Sequence, residues 1–124
     1  MKLRTIKIAI KDLRASLDEA REVMERIAAG KAIQKIHDVT FTSYEAMRKI
    51  LTPRRLELLY AIKEKNPQTV YELAHALRRD LKNTSDDLAI LANIGLVELR
   101  KTTKGRKKVI PSVTVDKIQV EIAI

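Results

Sequence analysis

Residues 51–99 read LTPRRLELLYAIKEKNPQTVYELAHALRRDLKNTSDDLAILANIGLVEL and contain three helical patterns in succession. A Thr-Pro pair opens the first pattern, because proline is tolerated at the first helical position, and Asn66-Pro67 ends it. The capping box Thr69-x-x-Glu72 opens the second helix. The third helix runs from about residue 81 to residue 93 and stops before Gly95. The order predicted here is therefore helix, helix, turn, helix.

The segment after the third helix is predicted to form a two-stranded hairpin. Leu96, Val97 and Leu99 begin one strand, residues 102–105 form a turn, and a second strand follows from Val109. Six cations and no acidic residue lie between positions 100 and 108. A helix-turn-helix followed by a basic hairpin is typical of a winged helix-turn-helix. We therefore predict an α+β winged helix-turn-helix domain.

This architecture assigns DNA-contacting roles to two groups of side chains. Short polar side chains at the start of the third helix would read base edges in the major groove, with a lysine beside them. These are Lys82, Asn83, Ser85 and Asp86. Cations in the turn and at the hairpin tip would contact phosphates or the minor groove. These are Arg78, Arg79, Lys104, Arg106, Lys107 and Lys108.

Each of these features also has a plainer explanation. The polar residues could cap a helix, the arginine pair could complement a helix dipole, and the charged hairpin could resist edge-to-edge aggregation. All three occur in the right order within about thirty residues, which none of the plainer explanations predicts. Their coincidence favours binding to double-stranded DNA.

The remaining parts of the chain are predicted to form a dimer. Residues 4–11 alternate as a strand, and a helix with heptad spacing follows from Asp12 to about Ala29. Residues 39–41 suggest a short strand, Thr42-x-x-Glu45 suggests a helix cap, and residues 113–124 alternate as one long strand. We place a dimerisation segment at residues 1–39 and the DNA-binding domain at residues 40–124. The predicted interface comprises Ile6, Ile8, Ile10, Leu13, Leu17, Met24, Ile27, Ile118, Val120 and Ile122.

Two alternatives remain open for these surfaces. The terminal strands could pair within one chain, and the heptad helix could pack on its own domain as an ordinary amphipathic helix. In either case the exposed apolar faces would be covered without a second copy.

Composition narrows the functional classes. The net charge of +9 and the pI near 9.9 favour a polyanionic partner. No cysteine, no metal-ligand spacing and no glycine-rich phosphate loop is found in the sequence. The four aromatic residues lie at mostly core-like positions and are too few for base stacking, which disfavours single-stranded nucleic acid. We expect a cytoplasmic protein without a cofactor, a bound metal, a membrane span or an enzymatic activity.

Four short motifs carry a family resemblance. Residues 51–59 match L-T-P-x-R-L-E-L-L, and residues 67–74 match P-x-S-V-x-E-L-A with Thr69 in place of serine. Residues 79–88 match R-D-x-K-N-V-x-x-D-V with Thr84 and Leu88 in place of valine, and residues 91–96 match L-x-x-x-G-L. The chain resembles a family of predicted prokaryotic transcriptional regulators with a MarR-like winged-helix domain.

The resemblance covers residues 40–124 and implies a sequence-specific DNA-binding regulator. Some members of that family look like antitoxins encoded beside a small toxin. The resemblance therefore implies an alternative function, in which the N-terminal segment binds a toxin protein while the chain still binds its own promoter.

Overall fold

The computed structural model describes residues 3–32 and 37–124 and shows an α+β architecture. The helices are α1 (Leu13–Ala28), α2 (Tyr44–Ile50), α3 (Pro53–Lys65), α4 (Val70–Ala76) and α5 (Leu81–Asn93). The strands are β1 (Thr5–Ile10), β2 (Val39–Phe41), β3 (Val97–Lys101), β4 (Val109–Val113) and β5 (Lys117–Ile122). Within the described ranges, no helix has the length and apolar character needed to cross a membrane.

The chain forms two compact units. Unit 1 comprises the described part of Met1–Lys49 together with Lys117–Ile124, and unit 2 is Ile50–Asp116. This division differs from the predicted boundary at residue 39, because α2 up to Lys49 and the C-terminal strand both belong to the N-terminal unit.

Unit 1 contains a three-stranded parallel sheet in the order β2-β1-β5. The central strand β1 pairs with β5 from Thr5↔Lys117 to Ile10↔Ile122. Ile8 and Ala9 in its middle are fully buried. A strand flanked on both sides is shielded from water, which accounts for its largely apolar sequence.

The predicted dimer role of β1 needs correction. Ile6, Ile8 and Ile10 are all buried within unit 1, so they are not available to a second copy. The terminal strands pair inside one chain, as the alternative arrangement anticipated. In β5, Ile118 is half-buried, whereas Val120 and Ile122 are 40% and 54% exposed.

The long C-terminal strand predicted over residues 113–124 is two strands. Thr114 interrupts the alternation, because its hydroxyl donates to the carbonyl oxygen of Gly95 at 2.8 Å. Asp116 accepts a hydrogen bond from Lys63 at 2.7 Å. These two contacts hold the connection between β4 and β5 against unit 2.

Helix α1 begins where the sequence predicts, with Asp12 as its cap. The Asp12 carboxylate accepts from the backbone N–H of Ala15 at 2.8 Å. No residue of α1 is buried. One face is half-buried and consists of Ala15, Ser16, Glu19 and Val23. The heptad positions lie on a different, exposed face, which we call the seam and which consists of Leu13, Leu17, Ala20, Met24 and Ile27.

A polar cluster connects α1 to the sheet of unit 1. Glu19 forms an ion pair with Lys11 and lies 3.8 Å from His37 Nδ1. The other ring nitrogen of His37, Nε2, lies 3.3 Å from a carboxylate oxygen of Glu121 in β5. The hydrogen bond from Lys11 lowers the pKa of Glu19, although burial opposes the shift. These contacts explain why the Glu19 face of α1 lies toward the sheet.

Unit 2 confirms the three predicted helices and the hairpin. Thr52 caps α3 and Thr69 caps α4, each hydroxyl accepting from a backbone N–H three residues on. Asn66 ends α3 in the left-handed conformation, with φ of 46°. Strands β3 and β4 pair antiparallel from Val97↔Val113 to Lys101↔Val109. The core is mainly leucine, and its fully buried members include Leu58, Leu73, Leu88, Leu91 and Leu96.

The start of α2 differs by one residue from the prediction. The hydroxyl of Ser43, rather than that of Thr42, accepts from the backbone N–H of Ala46 at 3.1 Å. Both residues have a hydroxyl that can cap a helix, so the motif alone does not distinguish them.

Candidate nucleic-acid interface

The position of α5 is set by one carboxylate that two arginines share. Asp87 accepts a hydrogen bond from Arg55 Nε at 3.0 Å and another from Arg79 Nη2 at 2.6 Å. Arg55 also donates to the carbonyl oxygen of Ile50 at 2.9 Å. The three side chains join α3, the turn before α5, and α5 itself. Burial raises the pKa of Asp87, but the hydrogen bonds from Arg79 and Arg55 outweigh this effect, and the pKa lies below its ordinary value.

This arrangement changes the role of Arg79. The sequence predicts a phosphate contact, but the Arg79 side chain is only 11% exposed and is paired with Asp87. It therefore stabilises the turn rather than offering a free charge. The neighbouring Arg78 is exposed, with a positive φ of 54°. Of the two predicted arginines, only Arg78 is available to a ligand.

The first turns of α5 present the predicted base-reading residues to solvent. Thr84 is fully buried, and its hydroxyl donates to the carbonyl oxygen of Asp80 at 2.8 Å. Asp80 caps the helix by accepting from the backbone N–H of Asn83 at 2.9 Å. The exposed residues around Thr84 are Lys82, Asn83, Ser85 and Asp86. Their side chains make no hydrogen bond or ion pair with any other described residue.

The basic segment predicted as a hairpin loop has a defined conformation. Thr102 donates its backbone N–H to the carbonyl oxygen of Lys108 at 2.9 Å, and its hydroxyl accepts from the Lys108 N–H at 3.0 Å. Gly105 has a φ of +70°, which glycine adopts without strain. We use the term hairpin for β3, β4 and this loop.

All six hairpin cations are exposed. None of them forms an ion pair with another residue in the described part of the chain. They are Arg100, Lys101, Lys104, Arg106, Lys107 and Lys108. The loop end of the hairpin is therefore a concentrated positive surface, and no carboxylate in the described part of the chain forms an ion pair with it.

A groove of about 1150 Å³ lies between α4, α5 and the hairpin. Tyr71 and His75 line it from α4, and Leu81 and Ser85 line it from α5. Its opposite wall is formed by hairpin residues that include Lys101, Arg106, Lys107 and Lys108. The groove thus brings one predicted base-reading residue, Ser85, together with three predicted phosphate-contacting residues, Arg106, Lys107 and Lys108.

The aromatic residues of the groove were not predicted as part of the site. The sequence interpretation places Tyr71 at a core-like position, but its side chain is 66% exposed. Its ring stacks on that of His75, with centroids 6.2 Å apart and planes inclined by 10°. The i,i+4 spacing beside the apolar face of α4 is the one sequence signal for this pair. Tyr44 and Tyr60 are also exposed, so the expectation of buried tyrosines is wrong.

Among residues 3–32 and 37–124, no three His, Asp or Glu side chains lie close enough together to hold a metal ion. Asp86 and Asp87 are adjacent in sequence, but one is exposed and the other is held by two arginines. The Asp87 carboxylate is therefore part of a structural ion-pair cluster, whereas the Asp86 carboxylate faces solvent.

The model of the HVO_A0114 family matches residues 50–120, more than half of the chain. The chain belongs to the HVO_A0114 family. No curated protein matches the chain. The matched HVO_A0114 segment contains α3, α4, α5 and the hairpin, together with all the residues that line the groove and with Arg55, Arg79 and Asp87, which we call the Asp87 cluster. The candidate interface therefore lies in the part of the chain that defines membership of the HVO_A0114 family.

Proposed function

We propose that the chain is a winged helix-turn-helix protein that binds double-stranded DNA and regulates transcription. Helix α5 enters the major groove, and the hairpin contacts the phosphate backbone or the minor groove. The observation that carries this proposal is that Ser85, at the exposed polar start of α5, lines the same groove as four exposed hairpin cations. The order α3, α4, α5, β3, β4 supports the winged-helix assignment.

The charge distribution supports a polyanionic ligand over a catalytic role. Six exposed cations within nine residues would release counterions when they meet phosphates, which provides affinity for any duplex. The polar residues at the start of α5 would then supply discrimination between base pairs. In a prokaryote, this role belongs in the cytoplasm, where the DNA lies, and it requires no cofactor.

Selection from a random pool of duplexes tests the proposed function. The full chain is incubated with the pool, bound duplexes are recovered and amplified over several rounds, and the enriched sequences are aligned. We expect one recurring motif, with affinity for it at least a hundredfold above that for an unrelated duplex. Retention of single strands in preference to duplexes, or enrichment of no motif, would contradict the proposal.

The exposed seam of α1 supports a homodimer. Leu13, Leu17, Met24 and Ile27 are 57–69% exposed, although soluble proteins rarely expose a continuous apolar stripe. Their heptad spacing matches the spacing that a second helix requires. A second copy presents the same stripe and would cover it. A two-fold dimer would then recognise a palindromic operator with half-sites about one helical turn apart.

The same seam favours a second candidate function. An apolar helical face also suits a different protein, and an antitoxin would use it to bind its toxin. Oligomeric state separates the two candidates. A chain that is dimeric by itself covers its own seam, whereas a monomer with a toxin-like reading frame beside its gene favours the antitoxin.

A further inference from the structure

The groove between α4 and the hairpin has walls of different chemistry. Four cations line the hairpin side, and a single acidic residue, Glu72, lines the α4 side. The carboxylate of Glu72 accepts from the backbone N–H of Gln68 at 3.3 Å, so it is engaged in capping α4. Charge complementarity therefore favours an anionic occupant.

The Tyr71–His75 pair places two polar side chains on the α4 wall of the groove. Both side chains are exposed, and their rings lie nearly parallel with centroids 6.2 Å apart. Neither the Tyr71 hydroxyl nor the His75 ring nitrogens form a hydrogen bond with a described residue. The two side chains are thus positioned to donate hydrogen bonds to an anion in the groove.

We propose that this groove holds one sugar–phosphate strand of the duplex, with Tyr71 and His75 donating to its phosphates from α4. Lys101, Arg106, Lys107 and Lys108 meet the same strand from the hairpin side. This inference rests on the proposed function and extends the interface to α4, where the sequence pattern assigns no contact. Tyr71 and His75 position the duplex, and the bases are read by α5.

A phosphate-by-phosphate comparison tests the assignment. The duplex selected by the wild-type chain is synthesised with single neutral methylphosphonates at successive positions. Each duplex is titrated with wild type, Tyr71→Phe and His75→Asn. Tyr60→Phe is the matched control, because Tyr60 is 70% exposed on α3 and does not line the groove.

We expect Tyr71→Phe to bind the unmodified duplex roughly tenfold more weakly than wild type, as for the loss of one hydrogen bond to a charged group. Neutralising one particular phosphate should weaken the wild type by a similar factor and Tyr71→Phe much less, because the two changes remove the same interaction. His75→Asn should couple to the same phosphate or an adjacent one. Tyr60→Phe should bind like wild type.

The outcomes separate this inference from the proposed function. Wild type that binds duplexes while Tyr71→Phe and His75→Asn bind equally well would overturn the groove assignment alone. Losses that are the same for every methylphosphonate position would also overturn it. Wild type that binds no duplex would overturn the proposed function and the groove assignment together.

Discussion

At the scale of single residues, the Asp87 cluster and the exposed start of α5 have separate tasks. Arg79 and Asp87 belong to the R-D-x-K-N-V-x-x-D-V motif, and the ion pair between them links the turn before α5 to α5 inside unit 2. Lys82 and Asn83 belong to the same motif and face solvent. The sequence could not assign these roles, because Arg78 and Arg79 are adjacent and chemically identical. Only the position of the turn decides which of them meets a carboxylate.

Replacing Asp87 tests whether its ion pairs with Arg55 and Arg79 stabilise the fold. Asp87→Asn removes the carboxylate that two largely buried guanidinium groups share, so we expect the free energy of unfolding to fall by about 2–4 kcal/mol at pH 7. The matched control is Asp86→Asn, an exposed neighbour for which we expect a change within about 0.5 kcal/mol. Urea denaturation followed by circular dichroism measures both. A decrease for Asp87→Asn no larger than that of the control would contradict the role of the cluster.

The difference in unfolding free energy between wild type and Asp87→Asn should decrease as the pH is lowered. The pKa of Asp87 is lowered in the folded chain, so its stabilising contribution is complete above the unfolded pKa, about 4. The contribution disappears as the pH falls through the lower folded value. The difference in unfolding free energy between wild type and Asp87→Asn should therefore shrink below about pH 4. A difference that grows on acidification would show that another group is responsible.

Replacing Asn83 tests whether the exposed start of α5 contacts base edges. The cap of α5 uses the backbone N–H of Asn83, not its side chain, so Asn83→Ala should leave the helix intact. We expect a loss of about 1–3 kcal/mol in binding to the selected duplex and a relaxed preference at one base pair. Competition binding against single-base variants of the site measures both effects. Equal losses on selected and unrelated duplexes would mean that Asn83 contacts only the backbone.

At the scale of elements, local signals predicted the helices of unit 2, whereas the pairing of the terminal strands stayed open between two arrangements. Thr52, Thr69 and Pro53 mark helix starts that are visible in the sequence, and Gly105 marks the hairpin loop. The pairing of β1 with β5 joins residues more than a hundred positions apart, and no local pattern encodes it. The break at Thr114 was missed because its cause is a hydrogen bond to Gly95, not a turn residue.

The cap of α5 is an element whose contribution can be measured directly. Asp80→Ala removes the carboxylate that accepts from Asn83 N–H, and we expect the free energy of unfolding to fall by about 1 kcal/mol. Asp80→Asn should recover most of this loss, because asparagine caps helices about as well as aspartate. Thermal and urea unfolding of the two variants provide the comparison. If alanine and asparagine were equally destabilising, the charge of Asp80 rather than its capping bond would be the cause.

At the scale of the whole molecule, the two units carry different candidate binding surfaces. Unit 2 contains the candidate interface, and unit 1 carries the exposed seam on α1. The sequence correctly located the apolar seam but assigned the dimer to the terminal strands as well. Strand β1 is covered inside unit 1, so its isoleucines leave the dimer proposal. Among the described residues, the seam remains exposed over its full length, and Val120 and Ile122 of β5 are partly exposed as well.

A charge-matched pair of variants tests the dimer. Leu17→Glu with Met24→Glu places two carboxylates in the seam and should convert the dimer to a monomer. The control, Arg21→Ala with Arg26→Ala, changes the net charge by the same amount outside the seam and should remain dimeric. Sedimentation velocity gives the mass of each species. A monomeric wild type, or a dimer that survives both seam changes, would remove α1 as the interface.

The most direct test of DNA binding is a salt titration with the hairpin cations removed. Lys104, Arg106, Lys107 and Lys108 are changed together to alanine, and fluorescence anisotropy records affinity for the selected duplex and an unrelated duplex between low and moderate salt. We predict that both affinities fall by the same factor and that the log–log salt slope shrinks by about 0.9 for each phosphate that the variant no longer neutralises. A salt slope identical to that of the wild type, or a wild type whose duplex affinity is insensitive to salt, would contradict the proposal.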